Sequence, residues 1–428
     1  MKRKLLVLSL DAVGTVDIEE MKRLPNFAKF FEKASGCKTV KSVYPTLTYP
    51  AHTSIITGKY PNNHRIVNNL QIQPNRKDSD WFWQRRFIKG TTVYDEAIKK
   101  GYKVASLLWP VTAKSNIQYN LPEIWPNRPY ENQIVVSFLN GSPLYQLKLN
   151  QKFGGLRNGK KQPYLDNFVQ QSLLYTLKEY RPDMTLVHFT DVDTNRHEHG
   201  MYGKEISDAL KRHDKRLGEI IDTLKEIGEY ENTNILLLGD HSQIQTHTVV
   251  YPNYIFRRKK YIKIKEGNIV DWKVLARHCD GSCYIYIKDE NNMALKQEVF
   301  ELLEKMKKDK RAGIEQIFTN EEIIQLGADG NATFMIEAKE GFYYQDEFDV
   351  YTKEITDEDG NFHEMKATHG YLPTKPNYTT FFYGIGPDIK EGVEIEDMCL
   401  VDEGPTMAKL VGCQLKEADG RVLEEMLK

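Results

Sequence analysis

Residues 4–11 read Lys-Leu-Leu-Val-Leu-Ser-Leu-Asp, a short unbroken apolar run that ends at the carboxylate of Asp11. A run of this length without alternation is typical of a strand buried on both faces of a sheet. Similar runs recur at 104–108, 184–189, 235–238 and 379–384, and stretches of helical period, such as 168–180 and 205–227, lie between them. Buried strands that alternate with helices predict an α/β fold whose largely parallel sheet is covered by helices on both faces.

The composition is that of a folded globular protein. The chain has 428 residues, 40% of them hydrophobic, and its 59 Lys+Arg nearly balance its 60 Asp+Glu, for a formal net charge of -1. These values exclude a disordered or collagen-like chain. Because a near-neutral chain has no overall field that attracts a polyanion, we expect neither a nucleic-acid duplex nor a membrane as partner. A small-molecule partner is expected instead, and the oligomeric state leaves no trace in the sequence.

The cysteines and the first residues bear on location. The five cysteines are odd in number and form no C-x-x-C pair: Cys37, Cys279, Cys283, Cys399 and Cys413. This pattern predicts free thiols in a reducing compartment. The basic start and the following apolar run imitate a signal peptide, but Asp11 ends that run too early, and no stretch approaches the roughly 20 apolar residues of a membrane helix. We therefore expect a cytoplasmic protein.

Residues 249–365 follow a different pattern from the rest of the chain. They predict a strand at 282–287, an amphipathic helix at 293–308, and strands near 314–318 and 332–338. Strands and one helix in this arrangement are typical of a small α+β unit. We therefore predict a cap at 249–365, inserted into a catalytic core formed by residues 1–248 and 366–428.

Metal-binding side chains follow several predicted strands and turns. They fall in four clusters: Asp11; Asp193 with His197; Asp240 with His241; and His369. Carboxylate together with imidazole is the ligand mix of zinc, or of manganese or iron where carboxylate dominates. Each cluster alone has a structural explanation, such as a helix cap, but four clusters at strand ends predict two divalent metals with about three protein ligands each.

The segment 44–58 reads Tyr-Pro-Thr-Leu-Thr-Tyr-Pro-Ala-His-Thr-Ser-Ile-Ile-Thr-Gly and predicts a helix with Thr48 as its N-cap and Gly58 as its stop. A hydroxyl at a helix N-terminus lies among free backbone N–H groups that favour a phosphate. A metal held by Asp11, Asp240 and His241 could lower the pKa of that hydroxyl and make it a nucleophile. Two alternatives stay open: Thr48 only caps its helix, or Thr46 supplies the hydroxyl.

The motifs, taken in order, resemble the type I phosphodiesterase/nucleotide pyrophosphatase family of the alkaline phosphatase superfamily. They are Asp11, Pro45-Thr-Leu-Thr-Tyr-Pro-Ala-His-Thr-Ser, Thr57-Gly-Lys-Tyr-Pro, His64-Arg-Ile-Val-Asn-Asn, Asp193-x-x-x-His, Asp240-His and Thr368-His-Gly. The resemblance spans Lys4 to about Leu415 apart from the cap. It implies an alkaline phosphatase-like three-layer α/β/α sandwich and a metal-dependent hydrolase that cleaves phosphodiester or nucleotide pyrophosphate bonds through a phospho-threonine.

The resemblance also implies roles for single residues. Asp193, His197 and His369 would hold one zinc, and Asp11, Asp240 and His241 the other. Thr48 would be the nucleophile and a ligand of the second metal. Asn69 and the backbone N–H of Tyr49 would bind a non-bridging phosphate oxygen, and the ring of Tyr49 would stack on a nucleobase or another apolar leaving group. The implied substrate is a small phosphodiester or nucleotide.

The chain departs from the family pattern at positions that bear on the substrate. Leu47 stands where many members have Lys, Ala51 where Asn is common, and Arg65 and Arg196 where Gly is usual. The two arginines could bind an additional anionic group or could form surface ion pairs. A phosphonoacetate hydrolase, a phosphomonoesterase and a relative that binds metal or nucleotide without turnover therefore stay as alternatives. A sulfatase is excluded because its C/S-x-P-x-R signature does not occur.

Overall fold

The computed structural model describes residues 2–76, 78–128, 130–355 and 365–428. The strands are, in chain order, β1 Lys4–Leu10, β2 Ser35–Val40, β3 Val104–Leu107, β4 Tyr119–Leu121, β5 Met184–Phe189, β6 Thr233–Leu238, β7 Ile244–Gln245, β8 Thr248–Val250, β9 Ile262–Lys265, β10 Asn268–Trp272, β11 Val274–Cys279, β12 Ser282–Ile287, β13 Ile314–Thr319, β14 Phe334–Ala338, β15 Phe342–Tyr344, β16 Thr352–Glu354, β17 Ala367–Thr368 and β18 Thr380–Ile385. The helices are α1 Ile18–Met21, α2 Pro25–Phe31, α3 Thr48–Thr57, α4 Pro61–His64, α5 Val93–Lys99, α6 Gln133–Asn140, α7 Pro143–Phe153, α8 Tyr164–Glu179, α9 Asp191–His199, α10 Lys204–Glu226, α11 Pro252–Arg258, α12 Met293–Lys308, α13 Asn320–Gln325 and α14 Glu403–Leu410.

A seven-stranded sheet lies at the centre, in the order β2-β18-β6-β1-β5-β3-β4. β1 pairs in parallel with β5 and β6, and β3 pairs in parallel with β4 and β5. β18 is antiparallel to both of its neighbours, β2 and β6. The largely parallel sheet predicted from the apolar runs is therefore confirmed, and each of those runs lies within two residues of an observed strand.

Helices cover both faces of this sheet, because the side chains of β1 alternate between two apolar cores. Leu5 and Val7 pack in a core with residues of α3, α5 and α14. Leu6 and Leu8 pack in the other core with residues of α2, α8 and α10. The molecule is therefore a three-layer α/β/α sandwich, as the resemblance implied.

A second sheet lies within the segment predicted as the cap. It has four antiparallel strands in the order β11-β12-β14-β13, and α12 packs on it through Val299 and Leu303. The predicted helix at 293–308 and the predicted strands near 282–287, 314–318 and 332–338 all have observed counterparts. Residues 356–364 lie outside the described residues, and the cap boundaries at 249 and 365 stay a prediction.

Two helices that the sequence analysis did not predict, α6 and α7, follow β4. No residue of α6 is buried, and Ile134, Val135 and Leu139 are each more than half exposed. Across the described ranges, no helix is both long enough and apolar enough to cross a bilayer. All five cysteines are free thiols in the structure, as predicted.

Candidate metal centre

The six predicted ligands meet beyond the carboxyl ends of the central strands. Asp11 directly follows β1, and Asp193 and His197 lie in α9, which begins two residues after β5. Asp240 and His241 follow β6 by two and three residues. Because β1 is paired in parallel with both β5 and β6, the ends of these three strands lie side by side. This edge is where ligands bind in open parallel sheets.

The structure groups the six side chains as two triads. Ligand atoms of Asp193, His197 and His369 all lie within 4.8 Å of one another, and the same holds for Asp11, Asp240 and His241. The rings of His241 and His369 have centroids 4.3 Å apart, so the two triads are neighbours. The grouping agrees with the one that the family resemblance implies.

The donor atoms are spaced as the ligands of one small cation are. His241 Nε2 lies 3.5 Å from Asp11 Oδ1 and 3.1 Å from Asp240 Oδ2. His197 Nε2 lies 3.2 Å from Asp193 Oδ1. Ligands about 2.1 Å from a tetrahedral zinc are themselves roughly 3.4 Å apart. The spacing therefore fits a zinc-sized ion in either triad.

The electrostatics of Asp11 and Asp240 also favour a cation. Asp11 Oδ1 and Asp240 Oδ2 are buried and have no hydrogen-bond partner among the described residues. Burial and the nearby Asp193 raise the pKa of Asp11 to about 7. Burial and the neighbouring Asp11 raise the pKa of Asp240 well above its usual value. Buried carboxylates that repel each other are stabilised by a divalent ion between them.

The other triad is already polarised. Burial opposes a charge on His197, but the carboxylate of Asp193 raises the pKa of this imidazole to about 9. Burial likewise opposes a charge on Asp193, but the neighbouring histidines hold its pKa below the usual range. His197 Nδ1 lies 2.8 Å from the carbonyl oxygen of Ala367, to which an Nδ1–H can donate. That bond leaves Nε2 facing Asp193 and free to bind a metal.

Two residues that the sequence analysis did not select support Asp11. His188 of β5 is fully buried, with Nε2 3.0 Å from Asp11 Oδ2 and Nδ1 2.8 Å from Glu123 Oε2. Burial would lower the pKa of His188, but the two carboxylates raise it well above its usual value. The available signal was a histidine inside an otherwise apolar buried strand, which needs polar partners there.

Thr48 lies at the triad that includes His241. α3 begins at Thr48 and its N-cap is Leu47, so Thr48 is the first helical residue and the predicted N-cap position is wrong by one. Thr48 Oγ1 lies 3.2 Å from His241 Nε2. Gly58 ends the helix with a φ of 66°, as predicted. The hydroxyl therefore faces the candidate metal centre and does not cap its helix.

Thr46, the rival hydroxyl, is fully engaged elsewhere. Its Oγ1 lies 2.9 Å from the carbonyl oxygen of Tyr371 and 2.7 Å from the hydroxyl of Tyr378. It also accepts a hydrogen bond from the backbone N–H of Gly370, and the side chain is completely buried. The structure therefore favours Thr48 over Thr46 as the reactive hydroxyl.

Asn69 and Tyr49 lie together, but not as expected. Asn69 Oδ1 accepts a hydrogen bond from the backbone N–H of Tyr49 at 2.9 Å, which leaves the Asn69 amide nitrogen as the donor for a phosphate. The ring of Tyr49 is fully buried, with the ring of Trp81 5.2 Å away and that of Trp125 a further 5.8 Å beyond Trp81. The expectation that Tyr49 stacks on a nucleobase is wrong for this structure, because Trp81 covers its ring.

The two unusual arginines have different surroundings. Arg196 is fully buried, and its guanidinium donates to Asp17 Oδ1 at 2.6 Å and to the carbonyl oxygens of Ala12 and Met201. The expectation that Arg196 binds substrate is therefore wrong, since its donors are used within the fold. Arg65 is exposed at the end of α4, and its role as a substrate-binding residue stays a prediction.

Comparison with known proteins gives the same family as the motifs. The family described as type I phosphodiesterase / nucleotide pyrophosphatase matches residues 5–372. Human ectonucleotide pyrophosphatase/phosphodiesterase family member 1 is 26% identical over 251 residues, which are 57% of this chain and 24% of the relative. The bovine bis(5'-adenosyl)-triphosphatase ENPP4 is 24% identical over 254 residues, 56% of this chain and 48% of the relative. The chain thus matches between about a quarter and a half of the length of these curated relatives.

Solved structures share the whole fold. The structure of murine ectonucleotide pyrophosphatase / phosphodiesterase 5 covers 100% of both chains with a TM-score of 0.68 and 17% identity. An inactive variant of the same murine protein in complex with AMP gives a TM-score of 0.69 at the same identity. These likenesses agree with the α/β fold described above.

Proposed function

Because the chain belongs to the type I phosphodiesterase/nucleotide pyrophosphatase family, we propose that it is a metal-dependent hydrolase that cleaves phosphodiester or nucleotide pyrophosphate bonds through Thr48. One observation carries the proposal: Thr48 Oγ1 lies 3.2 Å from His241 Nε2, beside two buried carboxylate oxygens that lack hydrogen-bond partners among the described residues. A hydroxyl next to a divalent cation loses its proton more readily and becomes a nucleophile.

In the proposed enzyme each triad holds one divalent cation. Asp193, His197 and His369 form one site, and Asp11, Asp240 and His241 form the other. Zinc is the proposed metal, because three nitrogen and oxygen ligands with an open position are typical of its catalytic sites, and manganese or iron would accept the same ligands. When bound, such a pair of cations stabilises charge on the attacking and leaving oxygens.

The chain's own residues account for the remaining steps. Thr48 Oγ attacks the phosphorus, the bond to the leaving oxygen breaks, and Thr48 then carries the phosphoryl group as an ester. Water attacks the same phosphorus and releases the Thr48 hydroxyl. Charge grows on the non-bridging oxygens in both steps, and the amide of Asn69, held at the start of α3 by Tyr49 N–H, is placed to donate to one of them. The positive end of the α3 dipole acts in the same direction.

The proposed substrate is a small phosphodiester or nucleotide. The relatives are named as nucleotide pyrophosphatase/phosphodiesterases and as a bis(5'-adenosyl)-triphosphatase, which supports this class. A phosphomonoester carries a second negative charge, and Arg196, one of the two arginines considered for it, is already paired with Asp17. The diester therefore remains the favoured substrate.

The test is a side-by-side assay of an aryl phosphodiester, an aryl phosphomonoester and phosphonoacetate. Zinc-loaded and manganese-loaded protein would be compared, with Thr48→Ala as the blank. We expect strong preference for the diester. A preference for the monoester or the phosphonate would reassign the substrate while keeping the two-metal site. No hydrolysis by protein that holds two metals would instead indicate a metal-binding relative without turnover.

We also propose a cytoplasmic location, which the free thiols of all five cysteines support. Several relatives carry names that begin with "ecto", so the location of this chain needs its own measurement. Fractionation of source cells, followed by thiol labelling of the purified protein, would test it. Recovery of the protein outside the cytoplasm would overturn this part of the proposal.

A further inference from the structure

A cavity of about 110 Å³ lies beside the metal centre and plays no part in the chemistry above. Its walls come from the segment after β4, from α6 and α7, and from α8. They are largely apolar and include Leu121, Trp125, Phe138, Leu147 and Phe168. Since an apolar cavity of about 150 Å³ accepts benzene, the size suits a single ring that protrudes in part.

Glu123 and Thr190 connect this cavity to the metal centre. Glu123 lines the cavity and contacts His188, which in turn contacts Asp11. Thr190 also lines the cavity and directly precedes α9, the helix that carries His197. A group in the cavity is therefore separated from the ligand Asp11 by only two side chains.

Two cations border the cavity. The guanidinium carbon of Arg157 lies 4.3 Å from the centre of the Phe168 ring, and Lys160 Nζ lies 4.2 Å from the centre of the Trp125 ring. Within the described ranges neither cation forms an ion pair with a carboxylate, and Arg157 donates to the side chain of Asn150. Arg157 is half-buried, and this burial lowers its pKa.

The one carboxylate among the described lining residues does not neutralise these cations. Glu123 Oε1 accepts a hydrogen bond from Trp125 Nε1 at 2.6 Å, and Glu123 Oε2 lies 2.8 Å from His188 Nδ1. Both oxygens thus have partners other than Arg157 and Lys160. The rim of an otherwise apolar cavity keeps an excess of positive charge, which favours an anion there.

We propose that this cavity is a subsite for an aromatic group with a negative charge at its far end, the ring lying among Trp125, Phe138 and Phe168 and the anion on Lys160 and Arg157. The proposal rests on the proposed function in that the aromatic group belongs to a phosphodiester substrate. Its chemical class is an aryl or nucleoside ester with a second anion, such as a phosphate, sulfonate or carboxylate. The extra anion-binding site considered for Arg65 and Arg196 is thereby placed at two other cations.

A binding experiment tests the subsite without any turnover. Calorimetry would compare 4-methylbenzenesulfonate with neutral 4-methylphenol on the zinc-loaded protein. We expect the sulfonate to bind at least about tenfold more tightly, because only it can pair with the two cations. The preference should fall in Lys160→Gln and vanish when Arg157→Gln is added. Lys161→Gln is the matched control, since Lys161 is the next residue but does not line the cavity.

A kinetic experiment tests whether substrates use the subsite. Two phosphodiesters would share 4-nitrophenolate as leaving group and carry either a phenyl or a 4-sulfophenyl group as the second ester. We expect the sulfonated diester to have a KM about tenfold lower in the wild type and in Lys161→Gln. In Lys160→Gln the KM for this diester should rise, while kcat and the values for the phenyl diester stay unchanged.

The outcomes separate the subsite from the proposed function. Equal or absent binding of the two small probes, or a sulfonate preference that survives in the double variant, would overturn the subsite. Failure to hydrolyse either diester would overturn the proposed function, and the calorimetric result would still decide the subsite. Binding without any difference in KM would overturn its use by substrates.

Discussion

Nε2 of His188 lies 3.0 Å from Oδ2 of Asp11, and this contact decides which oxygen of the carboxylate remains for a cation. The other oxygen, Oδ1, is buried, has no hydrogen-bond partner among the described residues, and lies 3.5 Å from His241 Nε2. Glu123 fixes the far side of the His188 ring. Asp11 is therefore oriented as a one-oxygen ligand by the protein itself.

Replacing this support should weaken metal binding. His188→Ala removes the partner of Asp11 Oδ2, so we expect zinc affinity to fall by about 10- to 100-fold, as for other residues that orient metal ligands. Competition with a chelator of known affinity would measure the change. His199→Ala is the control, because His199 lies on α9 near the other triad but is exposed. Equal affinities of the His188 variant and the wild type would contradict the proposed support.

Removal of the Thr48 hydroxyl should abolish turnover and leave the fold intact. In Thr48→Ala we expect two bound metals per chain but a kcat lower by several orders of magnitude, because no other side chain replaces the nucleophile. Metal analysis and steady-state kinetics would measure both quantities. Thr46→Val should keep most of the kcat and lose stability, since the Thr46 hydroxyl is hydrogen-bonded within the fold. Activity of Thr48→Ala near that of the wild type would refute this assignment.

Zinc binding by the metal-free protein should strengthen as pH rises from 7 to 9. The pKa of His197 is raised to about 9, and its proton must leave before the nitrogen can bind a metal. We expect affinity to rise about tenfold per pH unit in this range. Below pH 7 the slope should approach about a hundredfold per unit, because Asp11, with a pKa of about 7, is then protonated too. Titrations between pH 6 and 9 would check the slopes, and a flat profile above pH 7 would exclude His197 as the ligand that releases a proton.

Asp17 should be important for stability, because it pairs with the buried guanidinium of Arg196. Asp17→Ala leaves that charge without its partner, and we expect the free energy of unfolding to fall by about 3–5 kcal/mol. Urea denaturation would measure the loss. Asp397→Ala breaks the exposed ion pair with Lys41 and should change stability by no more than about 1 kcal/mol. Equal losses in the two variants would show that the Arg196 pair is not the important one.

Much of the framework was predictable from local pattern. Strands such as β1 and β5 are buried on both faces and therefore appear in the sequence as continuous apolar runs. The six metal-ligand candidates were found because each follows a strand or turn with an unusual ligand-type residue. Helices α6 and α7 were not found, because few of their residues are buried and apolar periodicity carries little information there.

The residues that were wrongly assigned depend on tertiary contacts. Arg196 was expected near a substrate, yet its partner Asp17 is 179 residues away in sequence and fixes it inside the fold. Tyr49 is covered by Trp81, whose position depends on a loop that no local pattern specifies. His188 and Glu123 were missed for the same reason, since their importance comes from contacts with each other and with Asp11.

The ligands of the two triads also leave the ribosome at different times. The triad of Asp11, Asp240 and His241 has all of its residues once position 241 has been synthesised. The triad of Asp193, His197 and His369 is incomplete until His369 has followed, after the whole four-stranded sheet of β11 to β14. A nascent chain therefore has the full ligand set of the Thr48 side of the centre well before that of its neighbour, which gives the two halves of the centre a built-in order of assembly during translation.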